Sequence, residues 1–258
     1  MSNIAGWEAP AEDHSMPRRA KSSYMPPKQT ASIMLSEALR GTGRIEENKQ
    51  LNFLSDPKKN GDLRIYYAGD LSLLSRPCVS IVGTRKVSDA GIAATDWLAR
   101  KLVAAGIVVV SGLAYGVDAV AHTAAIAEGG KTIAVIGTPL SKASPSENAP
   151  LQEKIYRDHL LISQFREGEK TFPANFPVRN RLMAALSDAT VVMEATDKSG
   201  TLHQAAECTK LGRWLFIAKS VVENPDVSWP QDFLKYDTCV VLDKVSQITD
   251  RVLKSSSR

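Results

Sequence analysis

Four short stretches hold the residues whose types and spacing could do chemistry, and that chemistry is the recognition of anions and flat rings. The first is Gly83-Thr84-Arg85-Lys86. A glycine permits a tight turn after a strand, and the backbone N–H groups at a following helix start favour an anion. Thr84 adds a hydroxyl donor, and Arg85 a planar, permanently charged fork suited to phosphate. The plainer alternative is a turn glycine beside a surface cation. The pattern is not GxGxxG, so dinucleotide binding by that route is not supported. The second stretch runs Ser111-Gly112-Leu113-Ala114-Tyr115-Gly116-Val117-Asp118. Its two glycines would let a ligand approach the backbone, or they serve packing. Asp118 suits a first helical turn, where it could simply cap. Tyr115 could stack on a base or merely cover the loop. His122 has no acid, serine or cysteine partner nearby in sequence and reads as a packed core histidine.

The third stretch, Phe172 to Arg181, mixes Phe172 and Phe176 with Asn175, Asn180, Arg179 and Arg181. Rings that stack on bases and cations that hold phosphates suit single-stranded nucleic acid, although the aromatics could equally belong to a structural turn. Arg179 and Arg181 are two apart on a helix and point in different directions. At most one should line a pocket, and the other would pair with an acid or flank the groove. The fourth stretch, Glu194 to Thr201, ends in Lys198-Ser199-Gly200-Thr201, a second anion cradle at a helix start. Glu194 is an unusual acid there, accepting from a sugar hydroxyl or balancing an arginine.

These residues need a scaffold that brings loop ends together. Continuous apolar runs at 79–82, 107–110, 132–136, 160–165, 189–194, 214–218 and 239–242 suit strands buried on both faces. Helical patterns at 88–105, 117–128, 147–159, 177–186, 201–211 and 245–253 alternate with them. The expectation is an α/β fold, a doubly wound, mostly parallel Rossmann-like sheet with helices on both faces and the loops at the strands' carboxyl ends. Leu63–Tyr67 reads as an edge strand. Residues 1–62 read as a flexible segment with one short helix at Ala31–Leu39, leaving 63–258 as the domain. Arg18, Arg19, Lys21 and Lys28 read as part of a solvated tail.

The bulk numbers narrow the class. An apolar fraction of 43% and a charged fraction of 23% are ordinary for a globular protein, and a net charge of +4 permits a polyanionic partner without requiring one. The three cysteines, Cys78, Cys208 and Cys239, form no CxxC pair, which argues against a zinc site or disulfide framework and fits a reducing cytoplasm. No apolar run approaches the ~20 residues of a membrane span. The amino terminus lacks the apolar stretch of a signal peptide. Neither a metal nor a cofactor is expected.

Together the four stretches resemble the DNA-processing protein A family (DprA, also called Smf). The similarity runs from about Ile65 to Lys219 and covers IYYAGDLSLL, SIVGTRKVSDAG, SGLAYGVDAVAHTAAI, FPANFPVRNRLMAALSDATVVMEA and SGTLHQAAECTKLGR in matching order and spacing. The resemblance implies a Rossmann-like domain that binds single-stranded DNA, forms a homodimer and loads a RecA-type recombinase during natural transformation. It makes Arg85 the leading phosphate contact, with Gly83, Ser111, Gly112, Gly116, Asn175, Arg179, Asn180, Arg181, Ser199 and Gly200 around the pocket. Related proteins also suit phage-defence loci, where the partner would be a toxin. Longer members add a helical domain in front and a winged helix behind, for which this chain has too little sequence. Rossmann relatives that cleave nucleoside monophosphates carry Gly-Gly-x-Gly-Thr-x-x-Glu. Here Lys198 replaces the second glycine and Gln204 the glutamate, so a hydrolase is not expected, although a nucleotide-derived signal could bind.

Overall fold

The computed structural model describes residues 24–44, 62–197 and 199–255. Lys198 and most of the stretch expected to be flexible lie outside the described residues. Seven strands follow the apolar runs of the sequence: β3 (Cys78–Val82), β4 (Val108–Ser111), β5 (Thr132–Ile136), β6 (Leu160–Ser163), β7 (Ala189–Val192), β8 (Trp214–Ala218) and β9 (Cys239–Leu242). Those from β3 to β7 are buried at every position, as two-sided coverage requires. Two further strands precede them, β1 (Ala31–Met34) and β2 (Arg64–Gly69). Among the described residues the sheet has nine strands in the order β1-β2-β6-β5-β4-β3-β7-β8-β9. From β6 to β9 every pairing is parallel, whereas β2 runs antiparallel to both β6 and β1.

Helices cover both faces. On one lie α2 (Asp89–Ala104), α3 (Val117–Ala127), α4 (Ala149–Asp158) and α9 (Ser246–Ser255), which bury residues such as Leu98, Ala121, Ile155 and Ile248. On the other lie α1 (Leu35–Ala38), α5 (Asn175–Ala185), α6 (Thr201–Lys210) and the short α7 (Lys219–Val222) and α8 (Pro230–Phe233), with Leu35, Met183, Cys208 and Val221 inward. Chain order runs outward from β3 through β4, β5 and β6, then returns to the other side of β3 with β7. That reversal is the topological switch point, and it opens a crevice beyond the carboxyl ends of β3 and β7.

The amino-terminal expectation is corrected. Ala31–Met34 is a strand rather than half a helix, and only Leu35–Ala38 makes a helical turn. β2 is therefore second from the edge, not at it. The pairing Ala31↔Tyr67 to Met34↔Arg64 satisfies a β2 edge that would otherwise face water. Leu35 and Leu39 are fully buried in the core, and Tyr24 donates its hydroxyl to the carbonyl of Leu140. Residues 24–44 are packed onto the same sheet as the domain expected to start at 63.

The end of the sheet away from the crevice is closed by a buried ion pair. Arg44, 3% exposed, donates from Nε and Nη2 to the two carboxylate oxygens of Asp188 at 2.8 and 2.7 Å. Its remaining donors reach the carbonyls of Leu74 and Arg76, and Asp188 also accepts from the N–H of Cys78. Among the described residues no helix is long and apolar enough to cross a membrane.

His122 is a core histidine, as its sequence context suggests. It is fully buried, and its Nδ1 lies 2.7 Å from the hydroxyl of Thr132. That hydroxyl donates to the carbonyl of Val109, so Nδ1 must carry the proton. Burial pulls the His122 pKa from 6.5 down to about 3, helped by the neighbouring charges of His159 and Arg179. The unfolded chain takes up this proton below pH 6.5 and the folded one does not. Stability should therefore fall by about 1.4 kcal/mol per pH unit as the pH drops from about 6.5 towards 3. Urea midpoints measured across that window should show the slope, and His122→Gln should flatten it.

Candidate functional site

The crevice is built from four strand ends and one helix. After β3, Gly83 turns the chain into Thr84, Arg85 and Lys86, and the last two are exposed. The Thr84 hydroxyl accepts from the N–H of Lys86 at 3.2 Å, which shapes the turn. Beside it the β4–α3 loop holds Gly116 at φ +72°, where a Cβ would stand 2.3 Å from the carbonyl oxygen of Thr84. Only glycine allows both that conformation and that approach. The two loops are joined by the N–H of Val117, which donates to Thr84 at 3.2 Å.

The β4–α3 loop is braced from below. Asp118 accepts from the N–H groups of Gly112 and Ala114 at 3.1 and 3.3 Å. Asn148 donates to the carbonyls of Leu113 and Ala114 at 2.9 and 3.2 Å. Burial pushes the Asp118 carboxyl up, and the Arg179 guanidinium is the main influence pulling it back. Burial likewise lowers Arg179, which Asp118 supports and Arg85 opposes. Arg179 is 5% exposed; it packs flat on Gly112, where a Cβ would meet Nη1 at 1.9 Å, and donates to the carbonyl of Val135. It is a cation under the floor, not on the rim.

α5 supplies the far wall. Asn175 donates to the carbonyl of Gly137 at 3.3 Å, and Phe176 lies against Gly137, with a ring carbon 2.9 Å from where a Cβ would be. The Arg85 guanidinium stands 6.0 Å from the Phe176 ring centroid, within cation–π range. One turn further along, Asn180 donates to the carbonyl of Gly200 at 3.4 Å. Phe176 and Asn180 share one helix face, so α5 links the Arg85 loop to the Ser199 turn on one side of the molecule. Among the described residues nothing lies within 4 Å of a Cβ placed at Gly200. Ser199 accepts from the N–H of Thr201 and donates to its hydroxyl at 2.6 Å.

Several expected residues take other roles. Ser111 is fully buried and donates to the carbonyl of Ile81 at 2.6 Å, so it holds strands together and does not reach the crevice. Arg181 diverges from Arg179, as their spacing requires, and pairs with Glu207 at 3.2 Å. Tyr115 is exposed at the rim, with its hydroxyl bonded to the Glu147 carboxylate, which that bond holds below its usual pKa. Glu194 neither balances an arginine nor waits for a sugar; it binds Ser88 at the start of α2. The sequence reading missed Asn148, whose only signal was its place in a polar loop, and the bracing role of Asp118.

Over residues 50–252 the sequence matches the family described as DNA recombination-mediator protein A. The chain belongs to this family. It is 41% identical over 152 residues to the DNA processing protein DprA of Streptococcus pneumoniae, covering 59% of this chain and 54% of that protein. It is 42% identical over 167 residues to the protein Smf of Synechocystis, covering 63% of this chain and 41% of the relative. The chain thus matches about half the length of these family members. Among solved structures, DprA of Streptococcus pneumoniae superposes with a TM-score of 0.70 at 30% identity, covering 86% of this chain and 74% of that one. DNA processing protein A of Helicobacter pylori, whose structure describes a single-stranded DNA binding mode, gives 0.71 at 26% identity and covers 92% and 99%. The molybdenum cofactor binding protein of Rippkaea orientalis, at 15% identity and a TM-score of 0.51, shares the fold alone.

Proposed function

We propose that this protein binds single-stranded DNA across the carboxyl edge of its sheet and delivers it, as a homodimer, to a RecA-type recombinase, without chemistry of its own. The observation that carries this reading is the exposed Arg85 guanidinium over the ring of Phe176, on the helix whose Asn180 also holds the Gly200 turn. Phosphates along a strand would meet Arg85 and Lys86, while a base lies beside Phe176. The Helicobacter pylori relative binds DNA of this kind, which supports the same use here. The family description, a DNA recombination mediator, supports a role in recombination, which we extend to DNA taken up by the cell; in a phage-defence setting the same DNA-binding edge would serve beside a toxin partner.

The hydrolase alternative is opposed by Gln204. The side chain at that position is fully buried and donates to the hydroxyl of Thr190 at 3.2 Å. It is an amide sealed in the core, where the cleaving relatives need a reachable carboxylate.

Fluorescence titration with matched single- and double-stranded oligonucleotides at two salt concentrations tests the proposal. Single strands should bind more tightly. Their affinity should fall with salt at a logarithmic slope of about −0.7 for each phosphate neutralised. Salt-independent binding, or a preference for duplex, would overturn it.

A further inference from the structure

In an open α/β sheet the ordinary seat for a nucleotide phosphate is the start of the helix that follows the first central strand. Here that helix is α2, and the seat is taken by the chain itself. Glu194, arriving from the end of β7, accepts from the N–H of Ser88 at 3.3 and 3.2 Å and from its hydroxyl at 2.8 Å. The carboxylate is lodged tightly, since a Cβ on Gly91 would stand 2.0 Å from Oε2. Capping does not require it. Ser88 already accepts from the N–H of Gly91 at 3.0 Å, and Asp89 already places a negative charge in the first turn. The backbone of Glu194 has a second task, because its carbonyl accepts from the N–H of Thr84 at 2.7 Å and so fixes the loop that carries Arg85.

We propose that Glu194 is a specificity-determining residue of the crevice. Its carboxylate fills the phosphate seat at α2 and turns away the terminal phosphate of free mononucleotides, leaving the rim to the phosphodiesters of a chain. The inference rests on the DNA-binding reading above and sharpens it. A phosphate monoester carries about −1.5 to −2 charges near neutral pH, and it would have to settle against a half-buried carboxylate already bonded to Ser88. A diester carries a single charge and can reach Arg85 and Lys86 at the exposed rim without entering the seat. The polymer is thereby distinguished from the abundant free nucleotides that share its chemistry.

The test is calorimetric titration of 5′-AMP and of adenosine into the wild type, Glu194→Asp, Glu194→Gln and Glu194→Ala, with thermal midpoints recorded for each. Glu194→Ala and Glu194→Gln should bind 5′-AMP at least about tenfold more tightly than the wild type. Glu194→Asp keeps the charge and should behave as the wild type does. Adenosine, lacking phosphate, should bind all four alike. Equal 5′-AMP affinity in the wild type, Glu194→Gln and Glu194→Ala would overturn the assignment, as would an equal gain for adenosine. If Glu194→Ala does not fold, the nearly isosteric Glu194→Gln decides. None of these readouts uses an oligonucleotide, so failure of the DNA-binding reading is seen separately, in the titration of the wild type with single strands.

Discussion

Asp188→Ala is expected to destabilise the protein by about 3–5 kcal/mol, which for a chain of this size lowers the thermal midpoint by on the order of 10 °C. The cause is the charge left behind. Arg44 keeps its hydrogen bonds to the carbonyls of Leu74 and Arg76 but loses both bonds to the carboxylate, and at 3% exposure it has little access to water. The N–H of Cys78 at the start of β3 loses its acceptor at the same time. Asp188→Asn keeps part of the hydrogen bonding without the charge and should fall between the wild type and Asp188→Ala. Scanning calorimetry or urea unfolding measures the change; a loss under about 1 kcal/mol would show that the buried pair does not secure this end of the sheet.

Arg85→Ala is expected to weaken single-stranded oligonucleotide binding by roughly 10- to 150-fold, the loss of about 1.5–3 kcal/mol in a charge-assisted contact. The salt slope should shrink by one phosphate's worth. Stability should hardly change, because Arg85 is exposed, and its 6.0 Å approach to Phe176 is a modest surface contact. Unchanged affinity in a folded variant would remove the strand from this rim.

The central sheet was legible because its signal is local. Runs such as Ile133–Ile136 and Trp214–Ala218 are apolar at successive positions, and the strands Thr132–Ile136 and Trp214–Ala218 have the bounds read from the sequence. The divergence of Arg179 and Arg181 followed from helical spacing alone. What could not be read depends on partners remote in sequence. Ala31–Met34 has no alternation to mark it as a strand and becomes one by pairing with β2. Arg44 stands in a polar stretch with nothing beside it to reveal a carboxylate 144 positions later. Glu194 looked like a misplaced acid because its ligand, Ser88, lies 106 residues earlier. Ser111 falls within a stretch rich in glycine and was assigned to the pocket by association, whereas its strand position turns the hydroxyl to Ile81.

The return of β7 to the side of β3 also sets an order of events on a growing chain. β3 gains β4 within about one helical crossover, but its other edge stays bare until Ala189–Val192 has been synthesised. The same arrival carries Asp188 to Arg44 and, a few residues later, Glu194 to Ser88. Completion of the central ladder, burial of the isolated guanidinium and assembly of the crevice are therefore a single late step. A nascent chain released before that step would carry Arg85 and Phe176 but lack the strand beside β3, the carboxylate that pairs with Arg44 and the Ser199 turn.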